Sequence, residues 1–388
     1  MTRRAHRGAR RKGTRRRSGL IAGPRLVLAA VAAAASLAVV AAVLASVRHA
    51  DAAGQQTPRA EAGPTAGAPG QPARVRHGKA SADGSAAARQ HGITTGHGRR
   101  RPSNSLVPAS GAYLGAYVQP ASYTSAGQID AIVGFERQLG RSLGLVHVYH
   151  PWDSPFPSAA DQHFVRRRKA LLLTWGGTPD TRAIIAGRYD ALIRQRAAAV
   201  KGLGRPILME FRHEMDRPNL LWAMHSPADY IAAWDHIRTI FAAAGATNAS
   251  WVWCPTAYGF TVGRAQAFYP GNNEVDWVCA DAYSPSPSVP LSVTAGPFLR
   301  WAAHHPKPVI IGEFGVGGNP AGWPAWLAGA GRLARQDPQI KAMDYFSGDG
   351  TDSNGHPYAY AMSSHAAAVR AFAALLAEPH FGSRVPRA

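Results

Sequence analysis

PILMEFRHEMD, residues 206–216, begins as an unbroken apolar run and ends in a cluster of ionisable side chains. A strand that is apolar on both faces belongs in a parallel sheet covered by helices on both sides. Seven similar runs flank it: YLGAYV (113–118), LGLVHVYH (143–150), ALLLTW (170–175), ASWVWC (249–254), VDWVCADAY (275–283), PVIIGEFG (308–315) and IKAMDYF (340–346). Helical stretches at about 127–143, 181–203, 228–244, 297–304, 325–336 and 366–377 fall between or after them. Eight such units in the 276 residues from Tyr113 onward predict an α/β fold, the closed (β/α)8 TIM barrel, in preference to an open doubly wound sheet.

Outward from the barrel the composition changes abruptly. All 34 aromatic residues lie at or after Tyr113, so the conventional core is expected from there on. Charge divides at nearly the same place. Residues 1–110 hold 19 of the 43 Lys and Arg against three acids, whereas the rest is close to balanced at 24 against 20. The net charge of +20 therefore belongs mainly to a tail without aromatics, and no specific nucleic-acid partner is expected of the folded part.

Residues 1–50 combine a basic start with an uncharged run of 22 residues, Leu26 to Val47. That run is long enough to cross a bilayer, and Ala50-Asp51-Ala52 offers a small-x-small cleavage site. Signal peptide and type II membrane anchor both remain open, and each places the barrel outside the membrane, secreted or tethered. Residues 51–105, rich in Ala, Gly, Pro and Arg, cannot bury enough apolar surface to order themselves and read as a linker. The basic tail is suited to contact with anionic wall polymers or phospholipid. The catalytic domain is expected at 106–388, acting as a monomer.

Chemistry in such barrels sits at the C-terminal ends of the strands. There the fourth run delivers Glu214, and the seventh delivers Glu313 in GEFG (312–315). Two carboxylates facing one another across a barrel mouth suit glycoside hydrolysis, one as acid and one as nucleophile. A retaining mechanism would place them roughly 5–5.5 Å apart. It would also need Glu214 to hold a proton at a pH where Glu313 has lost its own, so Glu214 is expected to have the higher pKa. Trp152, Trp175, Trp222 and Trp253 are candidates to stack against sugar rings. The chain lacks a GxGxxG after the first strand, a Walker A loop, a GxSxG elbow and HExxH, so neither cofactor nor metal is expected. Cys254 and Cys279 fall on neighbouring strands, where a disulfide and a pair of thiols are both open readings.

PILMEFRHEMD with Trp222, YIAAWDHIRTIFAAAGATNASWVWCP (230–255), FYPGNNEVDWVCADAY (268–283) and KPVIIGEFG (307–315) together resemble glycoside hydrolase family 26. The likeness runs in order from about Tyr113 to Ala377. It implies a retaining endo-enzyme acting mainly on β-mannan, with mixed-linkage β-glucan and β-1,3-xylan as alternatives. It also implies Glu214 as acid/base, Glu313 as nucleophile, Tyr283 as the hydrogen-bond donor to the nucleophile, Trp222 as a subsite tryptophan and His213 as the histidine before the acid. Three departures stand out: Asp216 in place of Asn, Arg217-Pro218-Asn219 in place of Gly-x-Trp, and Glu210 where many relatives have Arg. Arg212, two residues on, is expected to share a strand face with Glu210 and pair with it. A glycan-binding protein that has lost turnover is the competing reading.

Overall fold

The computed structural model describes residues 106–351 and 357–385; the expected export segment and linker lie outside them. Eight parallel strands close into one barrel in sequence order: β1 Tyr113–Val118, β2 Leu145–His150, β3 Ala170–Trp175, β4 Ile207–Phe211, β5 Ala249–Trp253, β6 Trp277–Ser284, β7 Val309–Val316 and β8 Ile340–Ser347. β8 pairs with β1 from Tyr113–Ala342 to Val118–Ser347, which completes the ring. Among the described residues no helix is long and apolar enough to cross a membrane.

The helices form the outer layer, and local chemistry sets their ends. The stretch expected as one helix from 181 to 203 is two, Thr181–Ile185 and Asp190–Gly202. Gly187, at φ +76°, supplies the left-handed residue at the break, a conformation that glycine adopts at little cost. Helix Ala159–Arg166 was not anticipated; Ser158 and Asp161 cap it reciprocally, and Asp161 also holds His150 at 2.8 Å.

Strand alternation sends one set of side chains outward to the helices and one set into the barrel. The inner set begins with an apolar floor that includes Tyr113, Leu145, Leu172, Leu208, Val252, Trp277 and Ile310. Leu106 is completely buried against that floor, so the core starts seven residues before the first aromatic side chain. Above the floor the interior turns polar, with His147, Thr174, Glu210, Asp281 and Asp344 all buried. Tyr117, Tyr149, Tyr283 and Phe346 form an aromatic layer nearer the mouth.

Candidate active site

Glu214 reaches its position through a strained turn. β4 ends at Phe211, after which Arg212 and Glu214 both take positive φ, +51° and +52°, although neither is glycine. Such conformations cost on the order of 1 kcal/mol each and persist only where the surroundings fix them. Here the Arg212 amide donates to the Trp175 carbonyl at 3.1 Å and the Glu214 amide to the Cys254 carbonyl at 2.7 Å. Asp216, one of the departures, accepts the Thr256 amide at 2.9 Å and the Thr256 hydroxyl at 2.7 Å. It thereby fastens the turn after β4 to the segment after β5.

Glu313 depends on a different device. Ile310 faces the interior and Ile311 the helices, so simple alternation would turn Gly312 inward and Glu313 outward. The registers of β7 against β6 and β8 both shift at this point, which inserts Gly312 as a bulge residue. The bulge re-aims Glu313 into the barrel mouth. Only glycine fits at 312, since a Cβ there would run into both cysteine sulfurs and Asp281. Glu313 then accepts hydrogen bonds from Tyr149 at 2.6 Å and Tyr283 at 2.5 Å, one on each carboxylate oxygen.

Both carboxyls are shut off from solvent. Burial, reinforced by the charge of Glu214, pushes Glu313 up to about 8, while the two tyrosine hydroxyls pull against that rise. Burial also raises Glu214, opposed by the Arg217 guanidinium, whose Nη1 lies 2.8 Å from its Oε2. Two buried carboxylates that repel each other titrate as a pair. The expected ordering, with Glu214 the higher of the two, is not what the surroundings favour: both rise, and the nearby cation opposes the rise at Glu214. His213 is buried beside Tyr149, and desolvation followed by the Arg212 charge holds it neutral.

Other expected residues separate into two groups. Tyr283 donates its hydroxyl to Glu313 Oε2. Trp222 is 66% exposed and free to meet a polymer. Trp175, Trp152 and Trp253 do not face a cleft. Trp175 is fully buried, stacks on Trp152 at 4.1 Å and donates to the Trp152 carbonyl, while Trp253 packs among Phe260, Tyr269 and Trp301. Their rings face the helix layer and cover the barrel wall.

Arg212 does not pair with Glu210. The strand ends before Arg212 and its positive φ breaks the alternation, so its Nη1 donates to the His213 carbonyl at 3.2 Å. Glu210 instead bonds the Thr174 hydroxyl. Tyr149, on β2, is a further site residue, which no motif in the sequence singles out. Cys254 and Cys279 are joined in a disulfide inside the barrel. Their sulfurs lie near Glu210, but bonded sulfurs supply no thiolate for a metal.

A (β/α)8 barrel with buried glutamates at the ends of strands 4 and 7 has the architecture of a glycoside hydrolase. Residues 176–298 match the model of Glycosyl hydrolase family 26. Endoglucanase H of Acetivibrio thermocellus is 31% identical over 245 residues, covering 55% of this chain and 25% of that protein. Beta-1,3-xylanase TXYA of a Vibrio species is 27% identical over 150 residues, covering 37% of this chain and 31% of that protein. The chain thus spans about a quarter to a third of the length of these curated relatives. In fold it resembles the catalytic domain of an endo-beta-1,4-mannanase from Bacillus sp. JAMB-750, with a TM-score of 0.55 at 13% identity over 72% of this chain and 90% of that one. A beta-mannanase from Bacteroides ovatus gives 0.54 at 14% identity, covering 71% and 91%. Over residues 176–298 the chain is thus similar to glycoside hydrolase family 26.

Proposed function

We propose that this protein is a retaining endo-β-glycanase that cleaves β-1,4-mannan by double displacement, with Glu313 as nucleophile and Glu214 as acid/base. The observation that carries this reading is Glu313 held between two tyrosine hydroxyls in the same buried mouth as Glu214. Hydrogen bonds to each oxygen favour the charged carboxylate and aim it. Glu214 protonates the leaving oxygen in the first step and activates water in the second. Mixed-linkage β-glucan is the second reading of the polymer, favoured by the match to Endoglucanase H. Action outside the cytoplasm, secreted or membrane-tethered, is part of the proposal and agrees with the disulfide, a bond that oxidising compartments sustain.

Activity on mannan, mixed-linkage glucan, xylan and β-1,3-xylan tests the polymer. The roles are tested with an aryl glycoside whose leaving group needs no proton. Glu313→Ala should abolish turnover on every substrate. Glu214→Ala should still be glycosylated by the activated substrate, and azide should rescue its second step. Identical behaviour of the two variants on that substrate would remove the role assignment, and binding without turnover in the unaltered protein would favour the glycan-binding reading.

A further inference from the structure

Beneath the mouth a line of buried side chains joins Glu313 to Glu210. Tyr149 Oη is 2.6 Å from Glu313 Oε1 and 3.2 Å from His147 Nδ1. His147 Nε2 is 2.6 Å from Thr174 Oγ1, and Thr174 Oγ1 is bonded to Glu210 Oε2. Each of these protons can serve one acceptor. The hydroxyl proton of Tyr149 is committed to Glu313, so the oxygen of Tyr149 must receive from His147 Nδ1–H. In a neutral imidazole that leaves Nε2 as an acceptor, which takes the proton of Thr174. The oxygen of Thr174 can then bond Glu210 only if Glu210 supplies a proton.

Taking Glu313 as the nucleophile, we propose that Glu210 in its protonated form begins a one-way chain of hydrogen bonds through Thr174, His147 and Tyr149 that ends on Glu313, favours its ionised form and aims it. Glu210, His147 and Thr174 are positioning residues in this arrangement. Burial of all three favours a chain of neutral groups over an ion pair carried below the mouth. Burial likewise pushes Glu210 up to about 8, against the pull of the Arg212 charge. The chain also accounts for Glu at a position where Arg is common in the family. A guanidinium has no proton acceptor and does not lose its charge, whereas a carboxylic acid can be buried neutral and donate.

Other groups around Glu313 bear on its ionisation. Glu214 and Glu210 from the β4 side, Asp281 from β6 and Asp344 from β8 add negative charge or protonated carboxyls. Tyr283 donates directly from β6, and Tyr117 and Tyr358 face it from β1 and the short ribbon beyond β8. His147 Nδ1 also lies 3.5 Å from Asp344 Oδ2. Arg217 pairs with Glu214.

Nitrogen NMR of the unaltered full-length protein, labelled in its histidine rings, reads the chain directly. His147 should carry its proton on Nδ1 with Nε2 bare, and Glu210→Gln, whose amide can donate to Thr174, should keep that tautomer. Thr174→Val should lose it. On the activated aryl glycoside Thr174→Val should also move the acid limb of kcat/KM to higher pH, because a weaker hydrogen bond from Tyr149 makes Glu313 harder to ionise. Below that limb the rate should fall roughly tenfold, and Thr174→Ser should restore it. A ring protonated on Nε2 in the unaltered protein, or an acid limb that Thr174→Val leaves in place, overturns the proposal. The expected tautomer in a protein that hydrolyses no glycoside supports the chain and defeats the glycosidase reading instead.

Discussion

Arg217 brings a guanidinium nitrogen within 2.8 Å of Glu214, and both side chains are buried, at 2% and 0% exposure. The pair occupies a stretch where the sequence departs from the family it resembles, and it puts a permanent cation on the residue proposed to deliver a proton. Arg217 opposes protonation of Glu214 and, on the proposed roles, should limit activity at high pH. Arg217→Met should raise the Glu214 pKa and carry the basic limb of kcat/KM upward on a substrate with a poor leaving group. The check is the pH profile of that substrate beside one of an activated substrate, whose cleavage needs no acid and whose basic limb should stay in place.

Tyr283 holds the other oxygen of Glu313. Tyr283→Phe removes a hydrogen bond to a charged group, worth about 1.5–3 kcal/mol, and should slow the glycosylation step roughly 10- to 150-fold. The lost donor had favoured the ionised carboxylate, so the acid limb should also rise. Single-turnover kinetics on an activated glycoside measure both effects, and an unchanged acid limb would show that the hydroxyl does not act on Glu313.

Tryptophans on the two sides of the wall should respond in opposite ways. Trp222→Ala should raise KM for polymer with little change in thermal transition, as expected of a 66% exposed ring. Trp175→Ala should cost about 3–5 kcal/mol of stability, because a fully buried indole leaves a cavity. Denaturant titration together with Michaelis kinetics separates the two.

Leu106 gives the domain boundary a test. Deleting residues 1–104 should leave the thermal transition and hydrolysis of a soluble substrate unchanged. Extending the deletion through Leu106 should destabilise the barrel by about 1.5–3 kcal/mol, the value of one fully buried leucine. Equal transitions for the two fragments would show that Leu106 contributes nothing.

The barrel was legible because its strands are near-continuous apolar runs, and each run was located to within two residues. Glu214 was legible as a carboxyl just past such a run, and Glu313 as one near the end of another. The means that aim them were not. Glu214 relies on two non-glycine residues in left-handed conformations, and Glu313 on a bulge that reverses the alternation rule. Both are set by hydrogen bonds between distant segments, which no local pattern encodes. The same limit explains the tryptophans: an apolar ring at a strand end looks alike whether it faces the mouth or the helices. It also explains Arg212, assigned to a strand face one residue after the strand had ended.

Cys254 and Cys279 stand opposite each other where the β5–β6 ladder lapses, between the Trp253–Val278 rung and the Thr256–Asp281 bridge. The ladder between β1 and β2 is also short, paired at Gly115–Leu145 and Ala116–Val146. These two seams divide the ring into half-barrels, β2 to β5 carrying Glu214 and β6 through β8 to β1 carrying Glu313. The two carboxyls thus belong to different halves, and the sulfur bridge is the covalent hinge pin between them. A chain folded where thiols stay reduced would complete the same ring with that seam held by hydrogen bonds and packing alone, which ties the precision of the carboxyl spacing to the compartment in which the protein matures.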